Sequence, residues 1–300
     1  MKNLIVILGP TAVGKTALSI KAAQHFGTEI ISADSRQIYQ ELSIGVARPS
    51  VAELQSVKHH LIGHISIHDD YSAGMYERDA LAVCSDLFEK HDHVVCCGGS
   101  MMYVDALIRG LDDLPADKTV RENLIQTHRN EGIGALQSQL EKLDPEYYSV
   151  VDIHNPHRII RALEVCLISG QKYSTLRKAT HRERPFRVIA IGMTAQRNWL
   201  YSRINKRVDE MMRMGLEEEA RRLLPFRHLN SLNTVGYKEM FEYFDGKMSL
   251  EMAIEKIKQH SRNFAKRQLT WWKRDPSIHW FAADGKGDGV DFIEYTLRTM

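Results

Sequence analysis

The octapeptide Gly9-Pro10-Thr11-Ala12-Val13-Gly14-Lys15-Thr16 constrains this chain more than any other stretch, because it meets every fixed position of G-x-x-x-x-G-K-[ST]. It directly follows the apolar run Leu4-Ile5-Val6-Ile7-Leu8 and leads into a helical pattern from about Lys15. Strand, glycine loop and helix in that order open a sheet of parallel strands, whose ligands collect beyond the strands' carboxyl ends. The glycines let backbone N–H groups turn inward around an anion, and the helix N-terminus adds its partial positive charge. Lys15 supplies a full charge and the Thr16 hydroxyl a ligand for Mg2+. Gly9, Pro10, Thr11, Ala12, Val13, Gly14, Lys15 and Thr16 are therefore expected to hold a diphosphate or polyphosphate. Whether that phosphate belongs to a nucleotide is left open by the motif.

Length and composition narrow the class. Three hundred residues, 43% hydrophobic and 26% charged, describe a globular chain with a full core and exclude global disorder. The formal net charge is +2, so any nucleic-acid surface must be concentrated locally. Cys84, Cys96, Cys97 and Cys166 show no C-x-x-C spacing, which points to reduced thiols and away from a disulfide framework or zinc site. No apolar run reaches membrane-span length, and Met1-Lys2-Asn3 runs straight into a strand; a cytoplasmic chain is expected.

Along the chain, Glu29-Ile30-Ile31-Ser32-Ala33 reads as a second strand and leaves Asp34 at its carboxyl end, facing the phosphate site. Residues 40 to 73 read as an irregular, mobile loop carrying His59, His60, His64 and His68, whose spacing is not that of a zinc site. A helix from about Met75 to Lys90 precedes a third strand, Val94 to Cys97, that ends in Gly98-Gly99-Ser100 without the Walker-B acid of a nucleotide hydrolase. Asn205 to Asp209 puts its aspartate one residue too late for a guanine signature.

Strand–helix alternation stops near Leu114-Pro115 and resumes at Arg187-Val188-Ile189-Ala190-Ile191. The expected organisation is an α/β core, P-loop NTPase-like with an open parallel sheet, over 1–111 and 186–300, with an inserted all-helical subdomain over 112–185. The insert's clearest helix begins after Asn155-Pro156 and stops near Gly170. Residues 171 to 187 carry six cations against Glu183 and read, taken alone, as a solvated loop. A long helix after Ser249 places Arg262, Lys266, Arg267 and Lys273 among Phe264, Trp271 and Trp272. That pattern suits RNA stacking and equally suits core aromatics with solvated charges between them.

Six motifs in order make the sequence resemble the bacterial tRNA dimethylallyltransferase (tRNA isopentenyltransferase) family over nearly its whole length. They are residues 9–16, Asp34-Ser35-Arg36-Gln37-Ile38-Tyr39, Gly98-Gly99-Ser100-Met101-Met102-Tyr103, Asn155 to Val165, Val235-Gly236-Tyr237-Lys238-Glu239 and Ala265-Lys266-Arg267-Gln268-Leu269-Thr270-Trp271. The resemblance implies transfer of a prenyl group from dimethylallyl diphosphate, with Mg2+, to N6 of adenosine 37 in the tRNA anticodon stem-loop. It would also account for the missing Walker-B acid, since no phosphoryl group moves.

Under that reading Asp34 and Ser100 are the catalytic pair. The tRNA-binding set is Ser35, Arg36, Gln37, Met101, Arg121, His157, Arg158, Ile159, Ile160, Arg161, Gly236, Tyr237, Lys238, Arg262, Lys266 and Arg267, and a monomer is expected. Ser100 stands where the family commonly has threonine, Gly63 where it has aspartate, Val46 where it has threonine, and Asn155 and His157 where it has the Asp and Gln of a D-P-Q-R motif. Two other readings use the same P-loop: a small-molecule kinase with Asp34 as its base, and a non-catalytic RNA-binding ATP switch.

Overall fold

The first strand alternates Leu4, Val6 and Leu8 with Ile5 and Ile7, apolar on both sides, so it has to lie at the centre of a sheet covered on both faces. The computed structural model, which describes residues 1–178, 181–285 and 287–299, bears this out. In chain order the elements are β1 (Asn3–Leu8), α1 (Lys15–His25), β2 (Ile30–Ala33), α2 (Val51–Ser56), β3 (His59–His60), α3 (Ala73–Lys90), β4 (His93–Gly98) and α4 (Met101–Arg109). Then come α5 (Lys118–Glu131), α6 (Ile133–Leu143), α7 (Pro145–Tyr148), α8 (Pro156–Ser169) and α9 (Tyr173–Leu176). The chain ends with β5 (Arg187–Thr194), α10 (Arg197–Arg213), α11 (Leu216–Leu223), α12 (Tyr237–Phe244), α13 (Leu250–Trp272), β6 (His279–Ala282) and α14 (Gly289–Thr299).

Two compact units emerge, one of Met1–Ile108 with Arg184–Met300 and one of Arg109–Glu183. In the first, the six strands pair in the order β3-β2-β4-β1-β5-β6, all parallel. Leu4, Val6 and Leu8 join a core with α3, α4, α12 and α13. Ile5 and Ile7 join the opposite core with α1, α10 and α14. The register sets Leu8 beside Gly98 and Gly192, so the loops after β1, β2 and β4 gather at one edge. In the second unit, Leu124, Leu136, Leu140, Ile159 and Leu163 close a separate helical core.

The stretch from 40 to 73 is more regular than its composition suggests. Ser50 and Glu53 form a reciprocal capping box at the start of α2, the Ser50 hydroxyl accepting from the Glu53 N–H and the Glu53 carboxylate from the Ser50 N–H. His59 and His60 add β3 to the edge of β2. His60 Nε2 lies 2.5 Å from the Glu29 carboxylate, and His59 Nδ1 2.8 Å from the Val57 carbonyl, so these histidines serve the fold. Among the described residues no three His, Cys, Asp or Glu side chains group as a metal site, and no helix is long and apolar enough to cross a membrane.

Candidate active site

Between β1 and α1 the P-loop is held by the backbone its glycines permit. Gly9 has φ +151°, and a Cβ there would stand 2.7 Å from the Met193 carbonyl oxygen of β5, so no side chain fits. Lys15 donates to the Gly9 and Pro10 carbonyls, each at 2.9 Å. Desolvation of the ammonium, opposed by Cys97 and Asp34 and aided by Arg207, pulls its pKa down from the usual 10.5 to about 8. From α10, Arg203 Nε donates to the Ala12 carbonyl at 2.9 Å and Arg207 Nη1 to the Thr11 hydroxyl at 3.2 Å. Burial and its neighbour Arg203 hold the Arg207 pKa below its ordinary value. Three cations thus crowd one loop, and an anion placed there would relieve their repulsion.

At the end of β2, Asp34 Oδ1 accepts the N–H groups of Arg36 (2.9 Å) and Gln37 (3.3 Å), a turn that fixes the carboxylate. Both bonds fall on one oxygen, Oδ1. Ser100, after β4, bonds through its N–H to the Ala33 carbonyl at 3.1 Å. Its hydroxyl accepts the Ser35 N–H at 2.7 Å and donates to the Ser35 hydroxyl at 3.0 Å. The turn that carries Asp34 and the loop that carries Ser100 are therefore tied together at the carboxyl edge of the sheet.

Two cavities meet at Asp34. The larger, about 620 Å3, is an open cleft whose walls include Ser35, Arg36, Ser100, Lys238, His260 and Arg267. The smaller, about 140 Å3, runs from Thr11, Ala12 and Arg207 to an aliphatic end of Ile204, Val208, Met211 and Ile257. Asp34, Arg36, Thr234, Val235 and Phe264 line both. A group with an anionic head and a short apolar tail matches the smaller cavity, and a planar polar acceptor the larger.

Residues 37–275 match the sequence profile of the family described as IPP transferase. The chain belongs to the IPP transferase family. It is 52% identical over 292 residues to tRNA dimethylallyltransferase 1 of Phocaeicola vulgatus, covering 97% of each chain. To the tRNA dimethylallyltransferase of Christiangramia forsetii it is 53% identical over 298 residues, 99% of each. The solved tRNA isopentenylpyrophosphate transferase of Bacillus halodurans superposes with TM-score 0.73 at 35% identity, covering 100% of this chain and 98% of that one.

For this IPP transferase family member the expected tRNA-binding residues divide by what holds them. Gly236 lines the smaller cavity; Lys238 and Arg267 are exposed along the larger, Arg267 lying 5.6 Å over the Phe264 ring. Lys266, His157 and Arg158 are exposed, and Met101 is half-buried at the start of α4. Arg36 is tied to the Asn230 and Ser231 carbonyls, Gln37 to those of Val46 and Ala47, and Arg262 to the Asn205 side chain. In the helical unit, Arg121 and Arg161 both close on Glu164, itself only 1% exposed, whose pKa lies below the usual carboxylate range: burial raises it, and the hydrogen bonds from Arg121 and Arg161 outweigh that.

Three assignments are corrected. Ile159 and Ile160 are core residues of α8, and Tyr237 is fully buried with its hydroxyl donating to Glu219 at 2.7 Å, so none of these side chains offers a surface. Their motifs are conspicuous in sequence because cationic and core positions alternate on one helix. The basic tract is partly structural as well: Arg184 pairs with buried Glu77 at 2.8 Å and Arg187 bonds Asn3. On α13, Trp272 is buried and Trp271 Nε1 donates to Asp105 at 2.9 Å, which settles those two aromatics as packing groups. Arg203 and Arg207 escaped the sequence reading; their i, i+4 spacing, which puts both on one helix face, was the available signal.

Proposed function

We propose that the protein transfers the dimethylallyl group of dimethylallyl diphosphate to N6 of adenosine 37 in the anticodon arm of tRNA. The observation that carries this reading is the junction of the two cavities at Asp34, with a cationic loop at the far end of the smaller and an open, polar cleft on the other side. The donor's diphosphate lies against the P-loop, Lys15 and Arg207, and its five-carbon tail against Ile204, Val208, Met211 and Ile257. The adenine, turned out of its stack at a cost of a few kcal/mol, enters through the larger cleft.

N6 is a weak nucleophile because its lone pair is delocalised into the ring. As the N–C bond forms and the C–O bond to diphosphate breaks, Asp34 takes the N6 proton. Ser100 holds the turn that carries Asp34 and Ser35. Negative charge gathers on the leaving diphosphate, where Lys15, Arg207 and the loop N–H groups oppose it. The hard oxygen of the Thr16 hydroxyl would hold Mg2+, which would neutralise charge on the leaving diphosphate when bound.

At about 140 Å3 the smaller cavity is well under the roughly 300–1,000 Å3 typical of sites for larger ligands, which, with the family match, does not favour a kinase that must seat a whole nucleoside triphosphate there. Both cavities are built from one chain, so a monomer is competent, and the substrate implies a cytoplasmic setting. The test offers tRNA with dimethylallyl diphosphate labelled in the prenyl group, and in parallel with ATP labelled in the γ-phosphate. Prenyl label should become acid-precipitable with tRNA; label leaving ATP for a small acceptor, with none reaching tRNA from the prenyl donor, rejects the reading.

A further inference from the structure

The motif at residues 265–271 contains a buried polar side chain that neither RNA binding nor catalysis has absorbed. Gln268, on α13, is 1% exposed. Its Oε1 accepts the Thr11 N–H at 2.9 Å, and its Nε2 donates to the Gly99 carbonyl at 2.7 Å. Thr11 belongs to the phosphate loop and lines the donor cavity. Gly99 precedes Ser100 in the turn that packs on Asp34 and Ser35 and lines the acceptor cleft. One buried amide thus bonds the donor loop with one end and the acceptor turn with the other.

The seat is built for this group. A Cβ on Gly99 would lie 2.6 Å from the Gln268 Nε2, so position 99 excludes every side chain while the amide is in place. The amide's orientation follows from its partners, because an N–H must meet an oxygen and a carbonyl must meet an N–H. Around it α13 is anchored by Ala265, fully buried, and Trp272, 2% exposed, so the side chain rises from a part of the helix that is itself fixed.

We propose that Gln268 is a positioning residue for prenyl transfer, a strut that sets the separation between the diphosphate held on the P-loop and the Asp34–Ser100 turn that receives the adenine. This rests on the transfer reaction proposed above. The strut touches neither reacting atom. Its effect is on the alignment of nucleophile and allylic carbon, where a misplacement of about 1 Å costs on the order of 100-fold in rate.

Two substitutions test it. Gln268→Glu keeps size and shape; ionised, it sets a carboxylate oxygen against the Gly99 carbonyl, while protonated it restores an O–H donor there and a C=O acceptor for Thr11. Burial favours the protonated form, and the Lys15 ammonium on the same side of Gly99 favours the ionised one. Gln268→Met fills the space and makes neither bond. Steady-state rates per folded molecule, with the folded fraction measured by thermal denaturation, should show kcat lowered about 10- to 100-fold in both variants, with KM for dimethylallyl diphosphate and tRNA within about 3-fold of wild type.

A role in stability alone would lower the melting temperature and leave kcat per folded molecule at the wild-type value in both variants, which overturns the proposal. So does a raised KM at unchanged kcat. A wild type that transfers no prenyl group under the same conditions instead rejects the reaction on which the proposal rests.

Discussion

Lys15 is the residue whose surroundings bear most on the proposed diphosphate binding. Its ammonium is desolvated beneath the loop, and its pKa of about 8 means that the free protein loses this charge as pH rises through that value. A diphosphate favours the charged form, so binding above pH 8 should take up close to one proton and affinity should weaken with each further unit of pH, whereas below 8 neither effect is expected. For the fold the sign is opposite: between about 8 and 10.5 the unfolded chain holds the proton that the folded one has released, so stability rises with pH across that window. Calorimetric titration of diphosphate in buffers of different ionisation enthalpy at pH 8.5 measures the uptake; a buffer-independent enthalpy contradicts it. Asp34→Asn keeps the shape of the turn, because the carboxamide oxygen still accepts from Arg36 and Gln37, but removes the proposed base. Turnover should fall by roughly 100- to 10,000-fold with tRNA affinity nearly constant, and a variant with wild-type turnover would take Asp34 out of that role.

At the scale of elements, strands and long helices were legible because each carries a period that burial enforces. Asn155 accepts the Arg158 N–H and Pro156 occupies the first turn of α8, as their order in the sequence implies. The two-residue β3 has no period to read, and its histidines gave no strand signal. Side-chain partners across long separations were also invisible. Arg184 stands in a basic tract of the sequence, yet it reaches 107 positions back to Glu77 on α3, with both side chains under 10% exposed, and donates to the Ala106 and Leu107 carbonyls of α4. A pair so buried is costly to break on one side: Glu77→Ala should lose about 3–5 kcal/mol of stability by leaving the guanidinium charge uncompensated. Denaturant unfolding reads this directly, and a loss below about 1 kcal/mol would place the pair in the class of solvated surface ion pairs.

For the whole molecule, the parallel sheet and the interruption of strand–helix alternation could be read from element order, but the strand order β3-β2-β4-β1-β5-β6 and the smaller cavity could not, since Ile204, Val208 and Met211 on α10 meet Ile257 on α13 only once the chain is folded. RNA binding is the property most spread over the chain, and the structure refines where its charge can act. Arg36, Arg121, Arg161 and Arg262 already have protein partners, whereas Arg158, Lys238, Lys266 and Arg267 are exposed. If the exposed set contacts phosphates of the anticodon arm, each contact releases a condensed counterion, and log K should fall with log[salt] by about 0.7–0.9 per contact. Replacing Arg158 or Lys266 singly with alanine should flatten the slope by that amount, and the double substitution by about twice as much, with KM for dimethylallyl diphosphate unchanged. Arginines held by Glu164 should behave otherwise: Arg161→Ala removes a partner from a carboxylate that is 1% exposed, so it should lower the stability of the helical unit before it alters the salt slope. Filter binding of tRNA across a salt series, run beside thermal denaturation of the same variants, separates the two classes of cation. Equal slopes for wild type and the Arg158→Ala/Lys266→Ala double variant would show that these charges only solvate their helices, and would leave Lys238 and Arg267, at the mouth of the acceptor cleft, as the remaining exposed contacts.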